Sequence, residues 1–428
     1  MRKLLMFKLK LFTRLILKKY QPVIIGITGS IGKTSSKEAI YAVLKDKISV
    51  RMSQKNYNNE IGLPLTVIGE ESAGKDLFAW LFIFIRALKL LLIKDKNYPR
   101  VLILEMGVDR PGDMAYLTNL ASPDVGLVTA VSYSHLEYFS DIFNIKKEKQ
   151  VLVENVDNKG LVILNYDNEL TREMAAASRA RALTYGLKAG ADLRAQDIFF
   201  NFNKGNYELL GLNFKLSYKG AVVPVFMNNV ISETAVYAAL SAAAVGIYFD
   251  LNLVEVSQSL KNFSLPAGRM SVLPGIKHSF IIDDTYNSSP EAAISAVDIL
   301  SRIKGEESTE KYAVLGDMLE IGHYTEEGHK ILGKKVAQSG INYLIAVGER
   351  SRDIIRGAVE AGMDDDYIFY FDYSEEAGKF IQNRLKPGNI ILIKGSQGVR
   401  MEKIVKEIMA EPDRAEELLV RQGRDWKD

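Results

Sequence analysis

Cysteine is absent from the 428 residues, and histidine occurs four times. The first absence excludes disulfides, a thiol nucleophile and thiolate metal sites, and fits a reducing compartment. The second leaves little material for a histidine-rich zinc centre. An excess of one charge is missing too: Lys plus Arg is 55 and Asp plus Glu is 53, a net +2. Nucleic-acid binders carry a large basic excess, so no nucleic-acid partner is expected. No uninterrupted apolar run is long enough to span a bilayer, and no signal peptide is expected, because no apolar stretch leads to a small-residue cleavage site. What remains is 47% apolar and 25% charged residues, the composition of a folded chain. Its length suits two or three domains.

The balanced charge hides an uneven start. Met1 to Tyr20 holds seven basic residues (Arg2, Lys3, Lys8, Lys10, Arg14, Lys18 and Lys19) and no acidic one, with leucines and phenylalanines between them. This reads as an amphipathic helix. It either lies on an anionic membrane or packs against the body of the protein with its lysines in water. A second greasy segment, Leu77 to Ile93, is broken by Arg86 and Lys89, three apart and able to share one helix face. It is either a membrane-facing surface or a helix buried between domains.

Elsewhere short apolar runs alternate with helical patterns, which indicates a parallel α/β architecture. Val23 to Ile27 reads as a strand, Thr28 to Thr34 as a glycine loop and Ser35 to Leu44 as a helix. Further strands are expected at Val101 to Leu104, ending in Glu105, at Val125 to Val131 and at Leu161 to Leu164. Residues 181 to 225 read as a small antiparallel sheet, and Thr234 to Gly246 as an alanine-rich helix. A boundary is expected near Ser264 to Gly268, after which the alternation restarts with strands at Phe280 to Ile282, Tyr312 to Leu315, Tyr343 to Val347 and Ile390 to Ile393.

A strand, a glycine loop and a helix in that order form the setting of a phosphate-binding loop. Gly29, Ser30, Gly32 and Ser35 can turn amides toward a polyphosphate. Lys33 would add positive charge, and Thr34 a hydroxyl for magnesium. The run is not a full Walker pattern, because Ile27 stands five residues before Gly32. Glu105, at a strand's carboxyl end, is placed to hold magnesium beside that loop. His135 follows its strand in the same way. By itself Lys149 reads as a solvated lysine.

At this point the sequence resembles the Mur ligase family. The matching stretches are Gly26 to Thr34, Asn58 to Leu65, Glu105 to Gly107, His135 to Glu137, Gly268 to Met270, Asp283 to Asn287 with Pro290, Leu315 to Gly322, and Lys394 to Ser396. Within the family they resemble the branch that adds D-alanyl-D-alanine to a UDP-muramoyl tripeptide. The resemblance implies a central parallel-sheet P-loop ATPase domain (22–265) after a basic segment (1–21), then a Rossmann-like C-terminal α/β domain (266–428). It implies a cytoplasmic, monomeric, ATP- and Mg²⁺-dependent enzyme of peptidoglycan biosynthesis. Its reaction forms an amide through an acyl phosphate, which must be shielded from water.

The roles that the resemblance implies fall on particular residues. Lys33, His135 and Lys149 are catalytic. Thr34, Glu105, His135 and Lys149 hold metal, with Lys149, fourteen residues after His135, as a carbamylated lysine and Lys146 and Lys147 as its rivals. Gly29, Ser30, Gly32, Lys33, Thr34, Ser35, Asn228, Asn229, Arg269 and Asp284 bind ATP. Ser232 stands where the family usually has a second asparagine. Tyr286, Asn287, Lys394 and Ser396 meet the amino substrate, although a simple loop role for Lys394 and Ser396 stays open. The family's N-terminal UDP-sugar domain is expected to be absent, since the loop begins at residue 26. The acceptor is therefore a peptidoglycan-precursor peptide, or a lipid-linked, polymeric or other peptide. The non-enzyme alternative is a nucleotide-binding scaffold with a degenerate site.

Overall fold

The computed structural model describes residues 2–53, 57–74, 76–132, 141–202, 209–228, 230–261, 263–303, 308–319, 321–423 and 426. It divides into two compact units. The first comprises Met1–Phe199, Asn213–Met227 and Glu233–Phe263, and the second Phe200–Leu212, Asn228–Ser232 and Ser264–Asp428.

The first unit is built on strands β1 (Val23–Thr28), β2 (Val50–Met52), β3 (Val101–Glu105), β4 (Val125–Val128), β5 (Leu161–Asn165) and β6 (Arg181–Gly186). They are extended by β7 (Leu193–Phe202), β8 (Leu209–Tyr218) and β9 (Ala221–Asn228), in the order β2-β3-β1-β4-β5-β6-β7-β8-β9. Neighbours from β2 through β7 pair in parallel. The register sets Gly26 beside Leu104 and Ile27 beside Glu105, so Glu105 sits level with the last residues before the glycine loop.

Its helices are α1 (Arg2–Tyr20), α2 (Lys33–Leu44), α3 (Gly62–Ile68), α4 (Leu77–Leu92), α5 (Asp113–Leu120), α6 (Ile142–Glu154), α7 (Glu169–Arg172), α8 (Glu233–Tyr248) and α9 (Leu253–Leu260). Side chains alternate across a strand. Ile24, Leu102, Leu104, Val162 and Leu164 join one apolar core with residues of α1 and α3 to α6. Ile25, Ile27, Ile103 and Ile163 point the other way and are equally buried. Burial on both faces explains why these strands read as continuous apolar runs.

Two expectations change. Residues 181 to 225 do not make a separate antiparallel sheet, because β6 pairs in parallel with β5 and continues the main sheet. At the far edge of the sheet the two-residue connection between β8 and β9 forces an antiparallel return. The strand expected to run to Val131 ends at Val128, where Thr129 turns its hydroxyl onto the carbonyls of Thr28 and Ile31.

The N-terminal helix packs against the body. Leu9, Thr13 and Ile16 are buried. Lys19 Nζ donates to the carbonyls of Leu90 and Leu91 at 2.7 and 2.8 Å, a cation on the carbonyl end of α4. The Tyr20 hydroxyl donates to Leu90 O, and its ring stacks on Tyr98 at 4.0 Å. Among the described residues no helix is long and apolar enough to cross a membrane.

The second unit holds β10 (Ser271–Pro274), β11 (Phe280–Asp284), β12 (Lys311–Gly316), β13 (Tyr343–Val347), β14 (Ile368–Phe371) and β15 (Ile390–Lys394), ordered β10-β11-β15-β12-β13-β14. Only β10 is antiparallel to its neighbour. Helices α10 (Pro290–Arg302), α11 (Thr325–Ala337), α12 (Arg352–Glu360), α13 (Ser374–Arg384), α14 (Glu402–Ile408) and α15 (Ala415–Leu418) complete it. Apolar cores lie on both sheet faces. The architecture is multidomain α/β with mixed sheets.

Candidate active site

In the first unit the site forms where β1 runs into α2. Gly29 (φ 148°) and Gly32 (φ 84°) adopt the left-handed half of backbone space that favours glycine. A Cβ on Gly29 would also stand 1.9 Å from Thr129 Oγ1. Gly32 is the N-cap of α2 and brings no side-chain acceptor. The helix therefore begins with amides and a positive dipole end that suit an anion. Ser30 fixes the loop from the other side, donating to Ser132 O and accepting from Ser132 N, both at 3.1 Å. Lys33 Nζ folds back to donate to Gly29 O at 2.6 Å. Ser35 is buried in the first turn of α2.

Thr34 Oγ1 donates to Glu105 Oε2 at 3.2 Å. The other carboxylate oxygen accepts from Asn58 Nδ2 at 3.4 Å. Glu105 is only 2% exposed, and two groups that sequence reasoning passed over stand next to it. Lys37 is fully buried on α2, donates to Ser53 O at 2.7 Å and lies 4.0 Å from Glu105 Oε2. Ser53 Oγ in turn accepts from the Glu105 amide. The signal for Lys37 was its place one helical turn after Lys33. Its burial is a tertiary fact.

Of the three lysines on α6, Lys147 is exposed and Lys146 pairs with Glu173, whereas Lys149 is buried. Burial, aided by the nearby Lys33 cation, pushes the Lys149 ammonium down to about 7. The amine is thus partly neutral near neutral pH. His135 and Asn229 lie outside the described residues. Among those described, no three His, Cys, Asp or Glu side chains gather as a metal cluster. Asn228 ends β9, half-buried.

In the second unit a separate group of the expected residues gathers at the carboxyl ends of β11 and β15, which are adjacent and parallel, with Asp284 opposite Lys394. Lys394 Nζ donates to Asp284 Oδ2 at 2.7 Å and to Asn287 O at 2.9 Å. Asp284 Oδ1 accepts from the Met270 amide. The Arg269 guanidinium lies 3.9 Å from the centre of the Tyr286 ring, a cation–π contact. Lys394 and Asp284 hold each other, so two of the lysine's three donors are engaged within the unit. Ser396 Oγ accepts from the Leu319 amide and donates to Ser288 O, which ties three loops together.

Behind them Asp283 is fully buried, and desolvation raises it to about 6 against hydrogen bonds from Thr285 and Gly268. Arg421, far along the chain, donates to Thr285 O, Tyr286 O and Glu402. It fixes the loop that carries Tyr286 and Asn287. A lone arginine in a polar C-terminal stretch gave no signal for this.

The comparisons with known proteins agree with one another. The Mur ligase middle-domain model matches residues 27–80 and 85–246, and the Mur ligase glutamate ligase domain model matches residues 268–397. The UDP-N-acetylmuramoyl-tripeptide–D-alanyl-D-alanine ligase of Bacillus subtilis is 26% identical over 389 residues, covering 91% of this chain and 76% of that protein. The crystal structure of MurF ligase from Thermotoga maritima, in complex with ADP, matches with TM-score 0.76 and 25% identity over 96% of this chain and 84% of that one. MurF from Acinetobacter baumannii matches with TM-score 0.76 at 22% identity, over 93% of this chain and 79% of that one, a likeness of fold.

Proposed function

The chain belongs to the Mur ligase family, and on that premise we propose that it joins D-alanyl-D-alanine to a peptidoglycan-precursor peptide with ATP. In this reading residues 22–265 are the P-loop ATPase domain and 266–428 the Rossmann-like ligase domain. What carries the reading is the Thr34–Glu105 hydrogen bond beside a glycine-capped helix start. It sets a hydroxyl and a buried carboxylate at one end of the parallel sheet, where a polyphosphate would meet the amides of α2. The curated relative from Bacillus subtilis supports the choice of amine.

The acceptor carboxylate attacks the γ-phosphorus and ADP leaves, giving an acyl phosphate. The neutral amine then attacks the acyl carbon, phosphate departs with the C–O electron pair, and the proton lost from nitrogen leaves with the phosphate. Gly29, Ser30, Gly32 and Ser35 cradle the polyphosphate. Lys33 exchanges its bond to Gly29 O for phosphate oxygens and offsets the repulsion between two anions. Thr34 and Glu105, with His135 and a carbamylated Lys149, would hold Mg²⁺ through hard oxygen and imidazole donors, and the bound ion would supply further positive charge at the transferring phosphoryl group. Carbamylation needs a neutral amine to attack CO₂ and release a proton, and a buried lysine lowered to about 7 offers one. Lys37 stands 4.0 Å from Glu105 Oε2 and helps hold that carboxylate in place. We assign Asn228, Asn229, Arg269 and Asp284 to the nucleotide, and Tyr286, Asn287, Lys394 and Ser396 to the amino substrate. The enzyme acts in the cytoplasm, where ATP is supplied.

The test is ligation with mass-spectrometric product detection. UDP-linked, lipid-linked and free peptide acceptors are each offered D-alanyl-D-alanine or single amino acids. Mass gain with D-alanyl-D-alanine on a precursor peptide is expected. ATP turnover with no ligated product from any pair would overturn the reading.

A further inference from the structure

Helices α1 and α4 together leave one side uncovered. On α4, Phe78, Phe82 and Leu92 are 78%, 70% and 74% exposed, and Leu81, Ile85 and Leu88 are exposed with them. Their spacing is that of one helix face. The opposite face, with Trp80, Ile83, Ala87 and Leu90, is buried in the core. On α1, Phe7, Leu11 and Leu15 form a second exposed stripe. The two stripes meet. Phe12 and Phe84 touch across the helices, ring centres 5.8 Å apart. Leu15 lies three residues from Phe12, and Leu81 and Leu88 lie three and four from Phe84, distances at which helix neighbours share a face.

Charge decides what fits there. Neither α1 nor α4 carries an Asp or Glu. Lys8, Arg14, Lys18 and Lys89 are exposed on the two helices, and Lys94 and Lys96 are exposed just beyond α4. A second copy docking through this side would bring cations against cations. A surface that is apolar within and anionic at its rim meets both features. The side is also rigid, because Lys19 and Tyr20 tie α1 to the end of α4.

We propose that the α1–α4 side is a docking surface for an anionic lipid bilayer, both helices lying in the plane of the headgroups. The phenylalanines and leucines enter the acyl boundary, and the lysines and Arg14 meet lipid phosphates. Such docking would hold the ligase at a membrane without a spanning segment.

The test uses the full chain, because α1 supplies core residues and cannot be removed cleanly. Co-sedimentation is measured with vesicles of phosphatidylcholine alone and of phosphatidylcholine with phosphatidylglycerol, at low and high salt. Binding to the anionic vesicles at least about tenfold above neutral ones, weakened by salt, is expected, since each cation near such a surface is worth about fivefold. The pair Phe82→Glu and Leu92→Glu should cut binding by at least about tenfold with an unchanged melting temperature, the residues being exposed. The pair Lys18→Glu and Lys89→Glu should erase the preference for anionic lipid. No vesicle binding by the native chain, or binding indifferent to both pairs, would overturn the proposal. So would a dimer in light scattering that the Phe82→Glu and Leu92→Glu pair disperses, for the side would then be a self-interface.

Discussion

Thr34 Oγ1 and Glu105 Oε2 are 3.2 Å apart, although 71 residues separate them. Parallel pairing of β1 with β3 brings the start of α2 and the end of β3 to the same edge. The pair therefore reports on the site in a way that either residue alone would not.

Replacing Glu105 by Gln should lower ligation by about 100-fold or more, the scale of losing one preorganised electrostatic group. Asn58 can still donate to the amide oxygen, so the fold should persist. Steady-state phosphate release checks the first and circular dichroism the second. Activity within a few-fold of native would overturn the metal-holding role proposed for Glu105.

Lys149→Met should abolish ligation yet leave the protein as stable as the native chain or more so. The sign follows from linkage. The lysine is depressed in the folded state, so that state binds fewer protons than the unfolded one above about pH 7. Its destabilising share is complete below that pH and fades as pH rises toward the ordinary lysine value. Removing it should gain about 1–3 kcal/mol near pH 6, read by urea denaturation. Carbon-13 NMR of protein equilibrated with labelled CO₂ should show a carbamate that grows as pH climbs through 7 and is lost in the variant.

Asp283 should impose the opposite slope. Its folded value is raised to about 6 from 3.8, so the folded state holds the proton longer. Stability should fall as pH rises from about 4 to 6, by up to about 3 kcal/mol. Asp283→Asn keeps an acceptor for Thr285 and should flatten that slope. An unchanged slope in denaturant midpoints across this range would assign it to other groups.

Arg421→Met should cost about 3 kcal/mol, because it removes one of the two arginines, Arg400 being the other, that pair with buried Glu402. It also frees the carbonyls of Thr285 and Tyr286. The Michaelis constant for the amine should rise more than that for ATP if this loop meets the amino substrate. Equal effects on both would give Arg421 a purely structural role.

Much of the fold was legible because its strands are buried on both faces and its glycines must turn left-handed. Gly29 and Gly32, placed between an apolar run and a helical pattern, announce the loop by themselves. The antiparallel reading of 181–225 failed at β6, which pairs in parallel with β5 and β7, because alternation along a strand shows which faces are wet, not which neighbour it pairs with. Strand β14 escaped notice because Ile368–Phe371 is short and only half-buried. The burial of Lys37, Asp283 and Arg421 was invisible for a related reason. A charged residue in a sequence looks solvated until the fold removes its water.

The sequence by itself determined the local chemistry: a glycine loop before Lys33 and Thr34, a carboxylate ending an apolar strand, and a basic first helix without acidic residues. These depend on residues near one another along the chain. Only the tertiary structure decided that Lys149 rather than Lys146 or Lys147 is the buried lysine, that Lys394 answers Asp284 across two strands, and that α1 and α4 merge their apolar stripes. Each is a matter of distance and exclusion of water between distant segments, quantities that exist only once the chain has packed.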